Sequence, residues 1–152
     1  MVKRILVIGS VLFFIIACAS TAFKGTTEEG GLSGIICLAF GWISFTSGFS
    51  AFVAWLANFP YLINIVMVFT GRKTTFRIIS VVLALMSLFL SFGAFGVTEI
   101  MKDEGGNMEA VTFGPGFFLW LLSIAVMLIA SVVPFEKKQV EVNYIQNPNP
   151  NM

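Results

Sequence analysis

Histidine is absent from this chain, and charged residues and cysteines are few. Only 11% of the 152 residues are charged and 57% are hydrophobic, whereas soluble domains carry about 25% charged residues. This composition is typical of an integral membrane protein. Nine basic and eight acidic residues nearly cancel, so net charge gives no argument for a nucleic-acid partner. With two cysteines and no histidine, the usual zinc or iron ligand sets are lacking, and we expect no cofactor.

Long uncharged stretches predict four membrane-spanning helices. A helix needs roughly 20 apolar residues to cross a hydrocarbon core of about 30 Å. The predicted spans cover about residues 5–23, 50–69, 78–98 and 115–133. The sequence therefore predicts an all-α integral membrane four-helix bundle that forms a single domain over residues 1–135.

The second apolar stretch is too long for one crossing. From Leu32 to Phe69 it would measure roughly 57 Å as a single helix. Because basic residues fix its far end, residues 34–49 are left over. They predict an interfacial or re-entrant segment that packs against the other helices, since irregular backbone at membrane depth needs partners for its polar groups.

The positions of the basic residues predict the orientation, because lysine and arginine are retained on the cytoplasmic side. With both termini cytoplasmic, seven of the nine lie inside: Lys3, Arg4, Arg72, Lys73, Arg77, Lys137 and Lys138. Residues 136–152, which contain two Asn-Pro pairs, predict a disordered cytoplasmic tail. The outer segments, residues 24–31 and 99–114, are rich in glycine and acids and predict solvated connections without a folded module.

The first span has a competing interpretation. Residues 15–18 read Ile-Ile-Ala-Cys after a basic and then an apolar region, which resembles a permissive lipobox of a bacterial signal peptide. Cleavage there would leave three spans and a lipidated Cys18. The uncleaved helix is favoured because the apolar run continues through Ala22 and Phe23.

Asn58 and Pro60 mark a predicted break in the second span. Proline has no N–H, so the carbonyl of Leu56 loses its helical partner. Asn58 lies roughly 16 Å from the inner end of this span, near the midplane. We favour a packing or kink role for it, shared with Asn64, over a substrate contact at a broken helix, because the inner three-quarters of the spans contain no acidic residue.

The third span carries a stripe of small residues at alternating four- and three-residue spacing. A period of 3.5 places them on one face of a slightly supercoiled helix, where small side chains allow close helix packing. The stripe consists of Ser80, Ala84, Ser87, Ser91, Ala94 and Thr98. A water-filled pore lined by the serines is the less favoured alternative, because no charged or amide ring accompanies them.

The two cysteines, Cys18 and Cys37, both approach the outer face in this topology. An oxidising compartment would permit a disulfide there, although free thiols packed as small apolar groups are favoured. Without a histidine base, neither is expected to act as a nucleophile. No catalytic motif is present in the sequence, and we expect no enzymatic activity.

Two sequence elements resemble those of small bacterial four-pass membrane proteins that carry a Trp-x-Ala-Asn-Pro element and a following Gly-Arg. The counterparts here are residues 55–60, Trp-Leu-Ala-Asn-Phe-Pro, in which Phe59 separates Asn58 from Pro60, and Gly71 with Arg72. The opening of the last span, residues 116–121, is also similar. The resemblance implies a bacterial cytoplasmic membrane and no particular activity.

These observations favour a non-enzymatic accessory or structural subunit that acts through helix–helix contacts. Its expected partners are the lipid bilayer and another membrane protein, or a second copy of itself. An immunity protein against a pore-forming toxin is one alternative. A small transporter or channel that uses the break at Asn58 and Pro60 is another.

Overall fold

A computed structural model describes residues 2–25, 31–45, 48–70, 74–101 and 107–134. The described chain is mostly helical. The α-helices are α1 (Val2–Ala19), α2 (Gly34–Phe40), α3 (Phe49–Leu56), α4 (Asn58–Thr70), α5 (Thr74–Ser91) and α6 (Pro115–Val132). Two 3₁₀ helices cover Gly41–Phe45 and Phe92–Gly96, and four strands are β1 (Thr21–Gly25), β2 (Gly31–Ser33), β3 (Glu99–Met101) and β4 (Met108–Phe113).

Four helical segments are long and apolar enough to cross a membrane. They are Val2–Ala19, Phe49–Phe69, Thr74–Gly96 and Pro115–Val132. α1 packs along α6, α6 along α5, and α5 along α4, which makes a bundle. Its largest buried cluster contains Val7, Phe14, Tyr61, Val68, Ile124, Met127 and Ala130. These features are consistent with the predicted membrane four-helix bundle.

The expectation of an all-α fold is wrong in one respect, because a four-stranded antiparallel sheet lies at one end of the bundle in the order β2-β1-β4-β3. It is built largely from the segments predicted as solvated loops. The helices deliver these segments side by side, and their backbone N–H and C=O groups then pair with one another. The first span is correspondingly shorter, since α1 ends at Ala19 and both Ala22 and Phe23 belong to β1.

The two ends of the bundle have different compositions. α1 ends at the sheet and α6 begins at it, whereas Lys3, Arg4 and Arg77 lie in the first turns of α1 and α5 at the opposite end. We call these the sheet end and the basic end. Arg72, Lys73, Lys102 and residues 136–152, which include Lys137 and Lys138, lie outside the described residues, so the predictions for them stay predictions.

The other predicted segments differ in detail. The second span consists of α3 and α4 with a turn at Ala57. The third span begins at Thr74, and its last part is the 3₁₀ helix that contains Ala94. Within residues 34–49, α2 and the following 3₁₀ helix are too short to cross a bilayer. No residue of α2 is buried.

Candidate functional site: polar contacts between helices and a pocket at the sheet end

Three polar side chains from three helices meet near the basic end, and we call them the Asn64 triad: Asn64, Ser80 and Ser131. The Asn64 amide donates to Ser131 Oγ at 3.1 Å, and Ser80 donates to Asn64 Oδ1 at 2.6 Å. The Ser80 and Ser131 hydroxyl oxygens lie 2.9 Å apart. Each of the three side chains is at most 1% exposed. The triad therefore ties α4, α5 and α6 together by bonds made away from water.

A second contact joins α1 to α4 and α6 in the middle of the bundle. The Ser10 hydroxyl donates to the Ser123 carbonyl at 2.7 Å, and Ser10 Oγ lies 2.9 Å from the Tyr61 hydroxyl oxygen. The Tyr61 ring also stacks on Phe14, with ring centroids 4.9 Å apart. This contact was not predicted from the sequence. The spacing of Asn58, Tyr61 and Asn64 at three-residue intervals, which places them on one helix face, could have indicated it.

Asn58 lies at the break between α3 and α4. Its amide donates to the Trp55 carbonyl at 2.9 Å, and its Oδ1 accepts from Trp120 Nε1 at 3.0 Å. Both polar atoms of Asn58 are thus engaged, one within its own span and one with α6. Pro60 is buried two residues later, and Ser87 of α5 donates to the Ala57 carbonyl at 2.8 Å. The backbone at the break therefore receives a bond from a neighbouring helix.

The small-residue stripe lies on one side of its span over most of its length. Ser80, Ala84, Ser87 and Ser91 are buried on α5, and Ala94 is buried in the 3₁₀ helix that follows. Thr98, the last residue of the stripe, is exposed. Ser80 and Ser87 bond to α4 and its preceding turn, whereas Ser91 donates to Leu88 of its own helix.

The cysteines are both free and partly buried. α2 begins against the end of α1, because a Cβ built on Gly34 would lie 2.2 Å from the Ala17 carbonyl oxygen and 2.9 Å from Cys18 Cα. Cys37 follows Gly34 by three residues, which places it on the same side of α2. Near the end of α2, Trp55 Nε1 donates to the Leu38 carbonyl at 2.8 Å.

A pocket of about 340 Å³ lies between these elements at the sheet end. Its walls come from the end of α1, from α2 and the next 3₁₀ helix, from α3, and from strands of the sheet. The lining residues farthest from the sheet on their helices are Phe14, Asn58 and Trp120, so the Asn58–Trp120 hydrogen bond lies at its floor. Cys18 and Cys37 both line it, and the exposed Glu99 is the one acidic residue in the described part of its lining.

An aromatic cluster lies beside this pocket, and it was not predicted from the sequence either. Phe113 stacks on Phe117 with ring centroids 4.3 Å apart, and Phe95 meets Phe117 edge-on at 5.4 Å. Phe23 of β1 approaches Phe113 at 6.0 Å. These contacts fasten the sheet to the start of α6 and the end of the third span. Residues 92–96 read Phe-Gly-Ala-Phe-Gly, and this pattern does not indicate which other rings the two Phe side chains contact.

Comparison of the chain with protein-family models, with curated proteins and with solved structures finds no match. The resemblance to small bacterial four-pass proteins therefore stays a prediction.

Proposed function

We propose that this chain is a non-enzymatic accessory or structural subunit of a bacterial cytoplasmic membrane, with both termini in the cytoplasm, that acts through contacts with other membrane proteins. The proposal includes no role for catalysis inside the bundle. It places the functional surface on the outside of the helices and at the sheet end.

One observation carries this proposal: the polar side chains inside the bundle bond to one another or to helix backbone. Among the described residues, no buried side-chain nitrogen or oxygen lacks a hydrogen-bond partner. Asn58, Asn64 and Tyr61, three polar side chains inside the bundle, are each engaged by another helix. Such bonds between helices stabilise packing, so these residues are accounted for without a substrate.

The exposed surface of α2 and the 3₁₀ helix Gly41–Phe45, which lie outside the four spans, is a further argument for contacts with a partner. α2 and the next 3₁₀ helix expose large apolar side chains, including Phe40, Trp42 and Ile35, each more than half exposed. Exposed apolar patches beside packed helices are typical of interaction surfaces, and in a bilayer this segment meets either lipid or another membrane protein.

The test is purification of the tagged full chain from its native membrane in a mild detergent, followed by mass measurement of the intact complex. A second protein in fixed stoichiometry would support the accessory role and identify the partner. A monomer or homo-oligomer obtained at low detergent and low salt would contradict it.

A small transporter is the second candidate, because the pocket extends to Asn58 at the helix break. The chain would be reconstituted in phosphatidylcholine vesicles that contain a pH-sensitive dye, and proton flux would be compared between the parent chain and Asn58→Leu. Transport predicts flux that Asn58→Leu abolishes and that a Ser91→Ala control retains. The packing role predicts no flux in any of them and a less stable Asn58→Leu bundle.

A further inference from the structure

The pocket at the sheet end has the size and lining of a ligand site. Its volume of about 340 Å³ falls within the range of roughly 300 to 1,000 Å³ found for small-molecule pockets. Most of its wall is hydrocarbon. Apolar side chains come from four different parts of the chain, among them Phe14, Leu32, Ile36, Phe40, Ala51 and Val97.

Apart from the exposed Glu99 and the two cysteine thiols, the polar side chains of the described lining are already paired. Asn58 and Trp120 bond to each other at 3.0 Å, Trp55 Nε1 donates to the Leu38 carbonyl, and Ser44 donates to the Gly41 carbonyl at 2.7 Å. Because these donors and acceptors are used, a polar metabolite would lose its bonds to water in this pocket and gain few in return. The lining instead matches an alkyl chain.

The position of the pocket identifies the source of that chain. One wall is α2 with its 3₁₀ helix, whose exposed face carries Ile36, Phe40 and Ile43. A surface this apolar belongs beside the hydrocarbon of a bilayer rather than in water. Apolar cavities stay free of water and take up apolar molecules, and phospholipid acyl chains are the apolar molecules that surround a membrane helix.

We propose that this pocket binds one acyl chain of a membrane phospholipid, with the end of the chain against Trp120 and Asn58. The site is a property of the sheet end alone and does not depend on a protein partner. It gives α2 a second role, because this short helix separates the bound chain from the surrounding bilayer.

Quenching by brominated lipid tests the site directly. Trp42→Phe removes the exposed indole and leaves two tryptophans, Trp55 and Trp120, both in the lining. This parent would be reconstituted in dioleoylphosphatidylcholine or in phosphatidylcholine with bromine on its acyl chain. Lipid retained after purification in a mild detergent would be counted by mass measurement of the intact protein.

Matched variants separate the pocket from the general lipid surface. Ala51→Phe fills the pocket from α3, and Val97→Phe fills it from the residues just before β3, whereas Ala39→Phe adds the same ring to an exposed position outside the lining. We expect one retained phospholipid in the parent and in Ala39→Phe, and a loss of about tenfold or more in its affinity in the two filled variants. Bromine quenching should fall in the same two variants.

The proposal is overturned if the parent and the filled variants retain lipid and are quenched equally, or if the parent retains no phospholipid. Helical circular dichroism verifies that each variant is folded, and the second filled variant keeps the test decisive if the first does not fold. Loss of a protein partner would leave this result unchanged, so the outcome is separate from that of the accessory-subunit proposal.

Discussion

The basic end and the sheet end of this bundle are held together by different combinations of interactions. Toward the basic end, helices are joined by hydrogen bonds between buried side chains, such as those of the Asn64 triad. Arg77 extends this pattern by donating to the Val132 carbonyl at the end of α6 at 2.7 Å. At the sheet end, ring stacking and backbones that approach at glycine, as at Gly34, add to hydrogen bonds from side chain to backbone such as that of Trp55 to the Leu38 carbonyl.

This difference explains why the pocket is where it is. Toward the basic end, four long helices run beside one another, and their small buried residues allow them to pack closely. At the sheet end, α2 and the 3₁₀ helix Gly41–Phe45 precede the second span. Both are short, and no residue of α2 is buried. Short elements cannot fill the space as continuous helices do, so the same chain is closed at one end and open at the other.

The largest expected effect is in the Asn64 triad. Asn64→Leu keeps a similar volume but removes the two bonds that Asn64 makes, one from Ser80 and one to Ser131, and leaves the Ser80–Ser131 contact in place. We expect the free energy of unfolding to fall by about 1–3 kcal/mol, the cost of losing two hydrogen bonds between buried groups. The measurement is unfolding of the detergent-solubilised protein by increasing sodium dodecyl sulfate, followed by circular dichroism.

Ser91→Ala is the control for that substitution, because among the described residues the buried Ser91 hydroxyl bonds only within its own helix, to the Leu88 carbonyl. Its removal should change stability by less than about 0.5 kcal/mol, as expected where no bond between helices is lost. Equal losses for the two variants would show that the triad contributes nothing beyond the burial of small groups.

The Ser10–Tyr61 contact is expected to contribute less. Tyr61→Phe keeps the ring stacked on Phe14, and Ser10→Ala removes the other hydroxyl. A double-mutant cycle should give a coupling of about 0.6 kcal/mol, the mean found for hydrogen bonds between membrane helices, and no more than the maximum of about 1.7 kcal/mol. Additive effects would mean that the two hydroxyls do not interact in the bilayer, and that α1 is held by apolar packing and by the bonds of these hydroxyls to backbone, from Ser10 to the Ser123 carbonyl and from Tyr61 to the Ser10 carbonyl.

How far the sequence could predict this molecule differs between the same two regions. The spans follow from hydropathy, because a bilayer allows few alternatives to a helix, and the bounds of α6 agree with Pro115 in its first turn. Ser80, Ala84, Ser87 and Ser91 could be placed on one face because their spacing is periodic. Which partners they meet could not be predicted, since Asn64 and Ser131 are distant in sequence.

The sheet end could not be predicted for a physical reason. β1 and β2 are short, and strands of three to five residues carry little alternation of their own. They are stable because α1 and α6 bring β1 and β4 together, so that Phe23 lies opposite Phe113. The pocket depends equally on this arrangement, because its walls come from segments that only the tertiary fold brings together.

The smallest expected change in global stability is at the sheet end. Gly34→Val places a branched side chain against the Ala17 carbonyl, where even a Cβ would lie 2.2 Å away, so α2 must move away from α1. Because α2 buries no residue, we expect a loss of about 0.5 kcal/mol or less in the free energy of unfolding.

The effect of Gly34→Val on the distance between α1 and α2 should be large. In the parent, mild oxidation should join Cys18 to Cys37, since a disulfide needs close Cβ atoms, and Gly34→Val should abolish this cross-link. Gly9→Ala is the matched control, because a Cβ there meets nothing within 4 Å. If Gly34→Val instead lowered global stability as much as Asn64→Leu, the two ends of the bundle would form one cooperative unit.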